Sequence, residues 1–235
     1  MPQFINTNCQ SCPESSKSIF CGLKSDEIEL INSRKKCRVF EKGEMIFHED
    51  AASKGIFCIQ QGKVKVSQLG VDGKDQILHL AKDGDVMGYR ATLSGDTYSC
   101  SAVTIEKSNI CFIPKEVFLS LVESNSKLAL KFIHLLSAEL KIMETNLTKI
   151  TQRPVKERIA QSLILLKNKY GLEKDDSTIN IVIKREEIAN LAGTTRETAT
   201  RILYHFQEDK MIELKGKKIK IIDFSLLMKE ANIMD

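Results

Sequence analysis

The sequence predicts an α+β chain with an N-terminal β jelly-roll domain, a long dimerisation helix and a C-terminal winged helix-turn-helix. Short apolar runs separated by glycines fill the first half, an unbroken heptad pattern follows, and two short helical patterns flank a glycine near the end. The predicted segments are a cysteine-containing segment over 1–25, the jelly-roll domain over 26–118, the dimerisation helix region over 119–151 and the winged helix-turn-helix over 152–235.

Composition limits the class of protein. The 235 residues are 42% hydrophobic and 28% charged, as expected of an ordinary globular chain with more than one domain. The net charge of +4 is too small to indicate nucleic-acid binding by itself. No apolar run reaches the roughly eighteen residues of a membrane span, and the chain does not begin like a secretory signal. We therefore expect a cytoplasmic protein with no membrane partner.

Residue patterns also argue against an enzyme and against a disulfide framework. The sequence has no Gly-rich phosphate loop, no His-Glu-x-x-His and no nucleophile elbow, so we expect no catalytic residues. Its seven cysteines are an odd number, and disulfides are rare in cytoplasmic proteins. We expect these cysteines not to form a disulfide framework.

The jelly-roll prediction rests on four runs that have the length and composition of strands: Ile56–Ile59, Val64–Val66, Gln76–Leu80 and Asn109–Ile113. Asp72-Gly73 is a hairpin-turn signal between two of them. Short strands at regular spacing with turn residues between them favour a β-sandwich or jelly roll.

The dimerisation helix is predicted from apolar residues that alternate spacings of four and three. The stripe begins at Ala129, ends at Ile150, and has as its predicted interface residues Ile133, Leu136, Leu140, Met143 and Leu147. A sustained period of 3.5 favours a helix that pairs with a second copy, although one long core helix is the alternative. A second stripe of Leu128, Phe132 and Leu135 is expected to pack on the β-domain, and Pro154 is expected to end the helix.

The segment from Ile188 to Leu203 predicts a helix, a glycine turn at Gly193 and a second helix with two different faces. The spacing of Thr194 and Glu197 predicts a capping box that starts the second helix. Its apolar stripe is Ala199, Ile202, Leu203 and Phe206, and its polar face carries Arg196, Glu197, Thr200 and Arg201. Such side chains suit base edges and phosphates, whereas the alternative is a two-helix corner with a solvated charged face.

A basic hairpin is predicted after the second helix. Two short strands flank Lys215-Gly216-Lys217, an arrangement typical of the wing of a winged helix, and Lys217 would lie near a phosphate backbone. The β-branched run Ile179–Ile183 is a candidate companion strand.

This order of elements resembles the CRP/FNR family of bacterial transcription regulators over essentially the whole chain. The motifs that carry the resemblance are Gly62-Lys-Val-Lys-Val66, Asp83-Gly-Asp-Val-Met-Gly88, Glu157-Arg-Ile-Ala160 and the stretch Arg185–Leu203. The resemblance implies a homodimer that binds double-stranded DNA at a two-fold-symmetric operator and works with RNA polymerase. It also implies that Arg196, Glu197, Thr200 and Arg201 contact bases, and their chemistry agrees, since Arg pairs with guanine and Glu accepts from cytosine.

The same resemblance implies that the jelly roll is cyclic-nucleotide-binding-like, but the nucleotide anchors are missing. Members that bind a cyclic nucleotide have Gly-Glu-Leu and, shortly after, Arg-Ser or Arg-Thr. This chain has Gly88-Tyr89-Arg90 and then Ser99 at those places. Because a buried phosphate without its Arg is strongly disfavoured, we expect that cyclic AMP is not the effector.

Cysteines suggest another sensor. Oxygen-sensing members hold a [4Fe–4S] cluster with three N-terminal cysteines and a fourth just before an Ile-Pro, and the matching positions are Cys9, Cys12, Cys21 and Cys111. Four thiolates suit a cluster or zinc, and free thiols are the alternative. The eight residues between Cys12 and Cys21 are a longer gap than the family pattern.

The remaining candidates have weaker patterns. We expect Cys37, Cys58 and Cys100 to be core residues, and His79 to be structural rather than a haem ligand. An iron–sulfur electron-transfer protein without DNA binding is the competing function. It would have no use for Arg196, Glu197 and Arg201 on one exposed helix face.

Overall fold

The computed structural model describes residues 4–5, 7–10, 12, 18–70, 73 and 75–233, with the backbone alone over 146–152. The chain divides into two compact units. The first consists of Met1–Gly73 and Leu78–Leu140, and the second of Lys74–Ile77 and Lys141–Asp235.

The strands of the jelly roll form two sheets, with the orders β1-β2-β9-β4-β7 and β3-β8-β5-β6. Their bounds are β1 Phe4–Ile5, β2 Lys36–Phe40, β3 Met45–Phe47, β4 Gly55–Gln61, β5 Val64–Leu69, β6 Asp75–Ala81, β7 Val86–Met87, β8 Ser101–Thr104 and β9 Ser108–Pro114. The four predicted strands are confirmed as β4, β5, β6 and β9. The predicted hairpin turn lies partly outside the described residues, because Asp72 is not among them.

Alternating side chains of the strands form the core of the jelly roll. Ile59, Val66 and Ile110 are almost completely buried in it, as expected when one face of each strand points inward. Gly62 allows the turn between β4 and β5. Its φ is 122°, and a Cβ there would lie 2.1 Å from Oγ of Ser108, so only glycine fits.

A second apolar cluster forms where helices cover the five-stranded sheet. The helices are α1 Ser25–Arg34, α2 Tyr89–Ser94, α3 Lys115–Ser124 and α4 Ser126–Gln152. Phe118 on α3 packs edge-on against Phe132 on α4, with ring centroids 5.0 Å apart, and Leu128 is buried beside them. The predicted packing of the second α4 stripe on the β-domain is therefore confirmed.

The second unit is a winged helix-turn-helix, as predicted. Its elements are α5 Val155–Tyr170, α6 Arg185–Ala192, α7 Arg196–Glu208, β10 Ile212–Lys215, β11 Lys218–Ile221 and α8 Phe224–Glu230. α4 ends at Gln152, just before Pro154, as the sequence indicates. The backbone N–H groups of Ile179 and Ile183 donate to the carbonyls of Ile219 and Lys217, so this run pairs with the wing without becoming a regular strand.

None of the helices in the described ranges combines the length and the hydrophobicity needed to cross a bilayer.

Candidate DNA interface and cysteine cavity

Helix α7 begins at Arg196, and Thr195 is its N-cap, with a side-chain oxygen that accepts from the N–H of Thr198 (3.3 Å). The predicted capping box of Thr194 and Glu197 is wrong. The N–H of Thr194 instead donates to the carbonyl of Ala189 (3.0 Å), so this residue completes the last turn of α6 and the next helix starts later.

The two faces of α7 separate as the sequence predicts. Its buried residues are Ala199, Ile202, Leu203 and Phe206. Arg196, Glu197 and Arg201 are exposed, and they line one concave surface with Thr200, Tyr204, His205 and Glu208. The Thr200 hydroxyl donates to the carbonyl of Arg196 (2.7 Å). We call this surface the α7 face. It combines guanidinium donors with a carboxylate acceptor, which is the chemistry that distinguishes base pairs in the major groove.

Tyr204 and His205 on the α7 face were missed in the sequence. Tyr204 is 55% exposed, and His205 lies 3.2 Å from a carboxylate oxygen of Glu208. The signal was present, because these residues follow Arg201 by three and four positions and neighbours on a helix face recur at that spacing.

Arg158 on α5 fixes the turn before α7. Its Nε donates to the carbonyl of Ala192 (2.8 Å) and its Nη2 to that of Gly193 (3.2 Å). The φ of Gly193 is 60°, a left-handed conformation that ends α6. Carbonyls at the end of a helix have no hydrogen-bond donor within the helix. Here the Arg158 guanidinium is that donor.

The wing is held to the start of α6. Arg185 donates from Nη2 to the carbonyl of Gly216 at the tip of the wing (3.0 Å), and burial lowers the pKa of this guanidinium. Lys215 and Lys218 each contact a glutamate, whereas Lys217 is exposed and has no ion pair in the described part of the chain. The Lys217 ammonium therefore remains available for an external anion.

The heptad stripe of α4 is largely uncovered in a single protomer. Ile133, Leu140 and Met143 are 56%, 59% and 42% exposed, and Leu136 is half-buried. The Leu147 side chain lies outside the described residues. Large apolar side chains exposed in one row are typical of an interface.

The residues at the positions of the nucleotide anchors, Tyr89 and Ser99, line a small cavity. Its volume is about 20 Å³, His79 is in its wall, and the rings of Phe47 and Tyr98 stack beside it with centroids 4.3 Å apart. This volume suits about one water molecule. Burial and the nearby Glu139 raise the pKa of Tyr89, which stands at the ribose-anchor position. The absence of cyclic AMP binding stays a prediction.

A larger cavity of about 360 Å³ lies in the first unit, and we call it the cysteine cavity. Cys9, Cys12, Cys21, Cys58 and Cys111 all contribute to its wall. The structure thus brings together the four cysteines that the sequence singled out, and it adds a fifth.

The expected role of Cys111 as a metal ligand needs correction. Its sulfur is bonded to that of Cys37, and the two residues are register partners on β9 and β2. Directly opposite residues in antiparallel strands lie close enough for this bond. In this form Cys111 has no thiolate to offer a metal. The alternative that all four candidate cysteines are free thiols is therefore wrong for Cys111, and Cys37 is buried as predicted.

The N-terminal cysteines have defined partners. The N–H of Cys9 donates to Oδ1 of Asn32 (3.0 Å), and Nζ of Lys35 lies 2.8 Å from Sγ of Cys9. Burial raises the pKa of the Cys58 thiol, the charges of Cys9 and Cys12 raise it further, and Lys35 opposes them. The pKa of the Cys58 thiol therefore depends on Lys35 and on two of the N-terminal cysteines.

The described side chains do not form a site for a single metal ion. Zinc needs four ligands within about 2.3 Å of one point, and the described residues contain no cysteine, histidine or carboxylate group gathered that tightly. An iron–sulfur cluster spreads its thiolates over several irons, and such a cluster stays an expectation of the family resemblance.

The cysteine segment is attached to α4. Nζ of Lys131 donates to the carbonyls of Ile19 (3.2 Å) and Cys21. The ring of Phe20 meets that of Phe132 edge-on at 6.2 Å. A change in this segment would therefore act directly on the first turns of α4.

Comparison with known proteins matches both parts of the chain. Residues 37–125 match a family model described as a cyclic nucleotide-binding domain, and residues 157–230 match a Crp-like helix-turn-helix domain. The chain is 28% identical to the fumarate and nitrate reduction regulatory protein of Vibrio cholerae over 230 residues, 96% of this chain and 91% of that protein. It is 26% identical to the cyclic AMP receptor protein of Thermus thermophilus over 210 residues, 89% of this chain and 94% of that protein.

Solved structures share the fold. A transcriptional regulator of the crp/fnr family from Eubacterium rectale matches with a TM-score of 0.75, over 91% of this chain and 97% of that one. Its sequence identity of 19% limits this likeness to the fold.

Proposed function

The chain belongs to the CRP/FNR family of transcription regulators, and from this premise we propose that it acts as a homodimer that binds a two-fold-symmetric DNA operator and responds to a redox signal. Its relatives include regulators of both the fumarate–nitrate and the cyclic AMP type, and none of those reported above is an electron-transfer protein. RNA polymerase is the partner that we propose for the DNA-bound dimer, on the ground of the family alone.

The observation that carries the DNA-binding role is the α7 face. Arg196, Glu197 and Arg201 are exposed on one side of a capped helix, while its other side is buried in the core of the second unit. A helix presented in this way fits the major groove. An electron-transfer protein would gain nothing from this arrangement.

Dimerisation is supported by the exposed heptad stripe. Two copies of Leu140 and Met143, each now partly in water, would be buried against each other if two α4 helices paired. Two recognition helices related by a two-fold axis contact two half-sites about one helical turn apart. The operator should therefore be an inverted repeat.

Selection of DNA from a random pool tests this function. The full-length chain is expected to enrich duplexes with an inverted repeat. Enrichment of duplexes with no common sequence, or no enrichment, would contradict it.

The cysteine cavity supports a redox signal rather than a cyclic nucleotide. An iron–sulfur cluster, when bound, would supply a group that oxygen can dismantle, and Cys9, Cys12 and Cys21 would hold its N-terminal side. Lys131 and Phe20 connect this segment to α4, so loss of the cluster would alter how α4 packs. A cluster that favours one of two packings of α4 by about 5.5 kcal/mol would shift the ratio of these packings from roughly 1:99 to 99:1.

A further inference from the structure

Three cysteines lie in a row across the five-stranded sheet. Strand β9 runs between β2 and β4, and Cys111 is the register partner of Cys37 on β2 and of Cys58 on β4. Directly opposite residues of antiparallel strands point to the same face of the sheet. Because Cys37 and Cys111 are bonded to each other, Cys58 is the free thiol of the row, on the side of Cys111 opposite to Cys37.

Both neighbours of Cys111 are within bonding reach of it. Directly opposite residues of antiparallel strands have Cα atoms roughly 4.5–5.5 Å apart, and a disulfide spans about 4.4–6.8 Å between Cα atoms. The register of β4 and β9 therefore permits a Cys58–Cys111 bond. Disulfide exchange proceeds by attack of a thiolate on one sulfur of the bond. A thiol that displaces the Cys37 sulfur approaches from the side opposite to Cys37, which is where Cys58 stands.

The two possible bonds differ in their surroundings. Cys37 and Cys111 are only 3% and 8% exposed, whereas Cys58 is half-buried. Cys58 and Cys111 both line the cysteine cavity, and Cys37 is not among the described residues of its wall. A Cys58–Cys111 bond would thus have both sulfurs at the cavity, where a small thiol or oxidant can meet them. The position of the bond therefore decides how accessible it is to a redox partner.

We propose that Cys58 exchanges with this disulfide, so that the bond alternates between Cys37–Cys111 and Cys58–Cys111. The Cys58 thiol gives its proton to water and its sulfur bonds to that of Cys111. The Cys37 sulfur leaves with the electron pair of the broken bond and takes up a proton. One disulfide and one thiol are present before and after, so the step needs no oxidant or reductant. Because burial raises the pKa of the Cys58 thiol, its thiolate is scarce and the exchange takes minutes to hours.

The position of the bond would affect α4. Cys58 packs against the apolar cluster that contains Leu128 and Phe132 of α4, and Ile5 of β1 is the register partner of Cys37. Exchange moves the Cys58 sulfur toward β9 and leaves a free thiol on β2 beside β1. This inference rests on the redox-sensing part of the proposed function, is independent of DNA binding and needs no metal.

The test is disulfide mapping of the full-length chain, purified without reductant and incubated for several hours. Acid stops the exchange, a maleimide blocks the free thiols of the denatured chain, and mass spectrometry identifies the linked peptides. Trypsin separates the three cysteines, because lysine residues lie between them. We expect two linkages, Cys37–Cys111 and Cys58–Cys111. The rarer one is expected in at least about 1% of the chains, as is usual for the minor state of a two-state equilibrium.

Cys37→Ser tests the reach of Cys58 directly. Treated with oxidised glutathione, this variant is expected to form the Cys58–Cys111 bond and to lose maleimide labelling at both cysteines, while one glutathione disulfide is reduced to two thiols. Cys100→Ser is the matched control, because Cys100 is a buried free cysteine in the jelly-roll core and does not line the cysteine cavity. It should keep both linkages. Circular dichroism checks the fold of each variant, and mapping of the unchanged chain decides if Cys37→Ser does not fold.

A single linkage in the unchanged chain, or none, would overturn the proposal. So would a folded Cys37→Ser chain in which Cys58 stays free while Cys111 carries glutathione. Operator binding is measured on the same samples, with and without oxidised glutathione. If the chain with a single linkage binds its operator specifically, the DNA-binding function stands although the exchange fails. If oxidation changes that binding without a second linkage, the redox response stands as well.

Discussion

Arg158 on α5 donates a hydrogen bond from Nη2 to the carbonyl of Gly193, the glycine that separates α6 from α7 (3.2 Å). Its Nε binds the preceding carbonyl, of Ala192, at 2.8 Å. One side chain thus satisfies two carbonyls at the turn between α6 and α7. This contact gives the arginine of the motif Glu157-Arg-Ile-Ala160 a structural role.

Arg158→Ala is therefore expected to destabilise the second unit. Hydrogen bonds to a charged group contribute about 1.5–3 kcal/mol to stability, and the two carbonyls would lose their partner. Urea unfolding followed by circular dichroism measures the change. Lys174→Ala, at an exposed lysine, serves as the control and should unfold like the parent. Equal midpoints for the two variants would show that the contact does not hold the turn.

Leu140→Glu is expected to give monomers. Leu140 is 59% exposed in one protomer. Burying a leucine in the dimer interface contributes roughly 1.5–3 kcal/mol per copy. A glutamate at this position would lose that contribution, and the two carboxylates would repel each other. Sedimentation velocity reports the outcome. Leu130→Glu is the matched control, since Leu130 is similarly exposed on the same helix but outside the heptad stripe. A dimer that survives Leu140→Glu would place the interface elsewhere.

Cyclic AMP is expected not to bind the jelly roll. Tyr89 and Ser99 stand where the ribose and phosphate anchors would be, and the remaining space is about 20 Å³. Isothermal titration calorimetry with millimolar nucleotide should show no saturable heat. Saturable binding would mean that the core opens around Phe47 and Tyr98 and that another group contacts the phosphate.

Lys217→Ala is expected to weaken DNA binding evenly across sequences. Its exposed ammonium at the wing has no ion pair within the described residues, so a phosphate is the partner that we expect. Loss of one phosphate contact should reduce the slope of log affinity against log salt by about 1. Anisotropy titrations at several salt concentrations give the slope. An unchanged slope would remove Lys217 from the interface.

Local patterns made α7 predictable. Residues such as Ala199 and Phe206 recur at helical spacing within one short segment, and that periodicity alone separates the buried face from the exposed one. The start of the helix was misplaced because the cap depends on a backbone bond from Thr194 to Ala189, which the side-chain pattern does not specify.

The cysteine cavity could be predicted only in part. The N-terminal cysteines and Cys111 came from a resemblance, whereas the Cys37–Cys111 bond joins residues 74 positions apart. That pairing follows from the register of β2 against β9, and the place of Cys58 follows from β4 on the other side. Strand order across a sheet is not encoded in any local period, so neither relationship was visible in the sequence.

The most direct measurement is the affinity of Arg201→Ala for its selected operator and for random duplex DNA, compared with the unchanged chain by fluorescence anisotropy. Arg201 is exposed in the middle of the α7 face, where it can form two hydrogen bonds to a guanine. We expect the variant to lose about 1–3 kcal/mol of discrimination between operator and random DNA, with little change in its affinity for random DNA. Equal losses of affinity for both duplexes would contradict base recognition by α7.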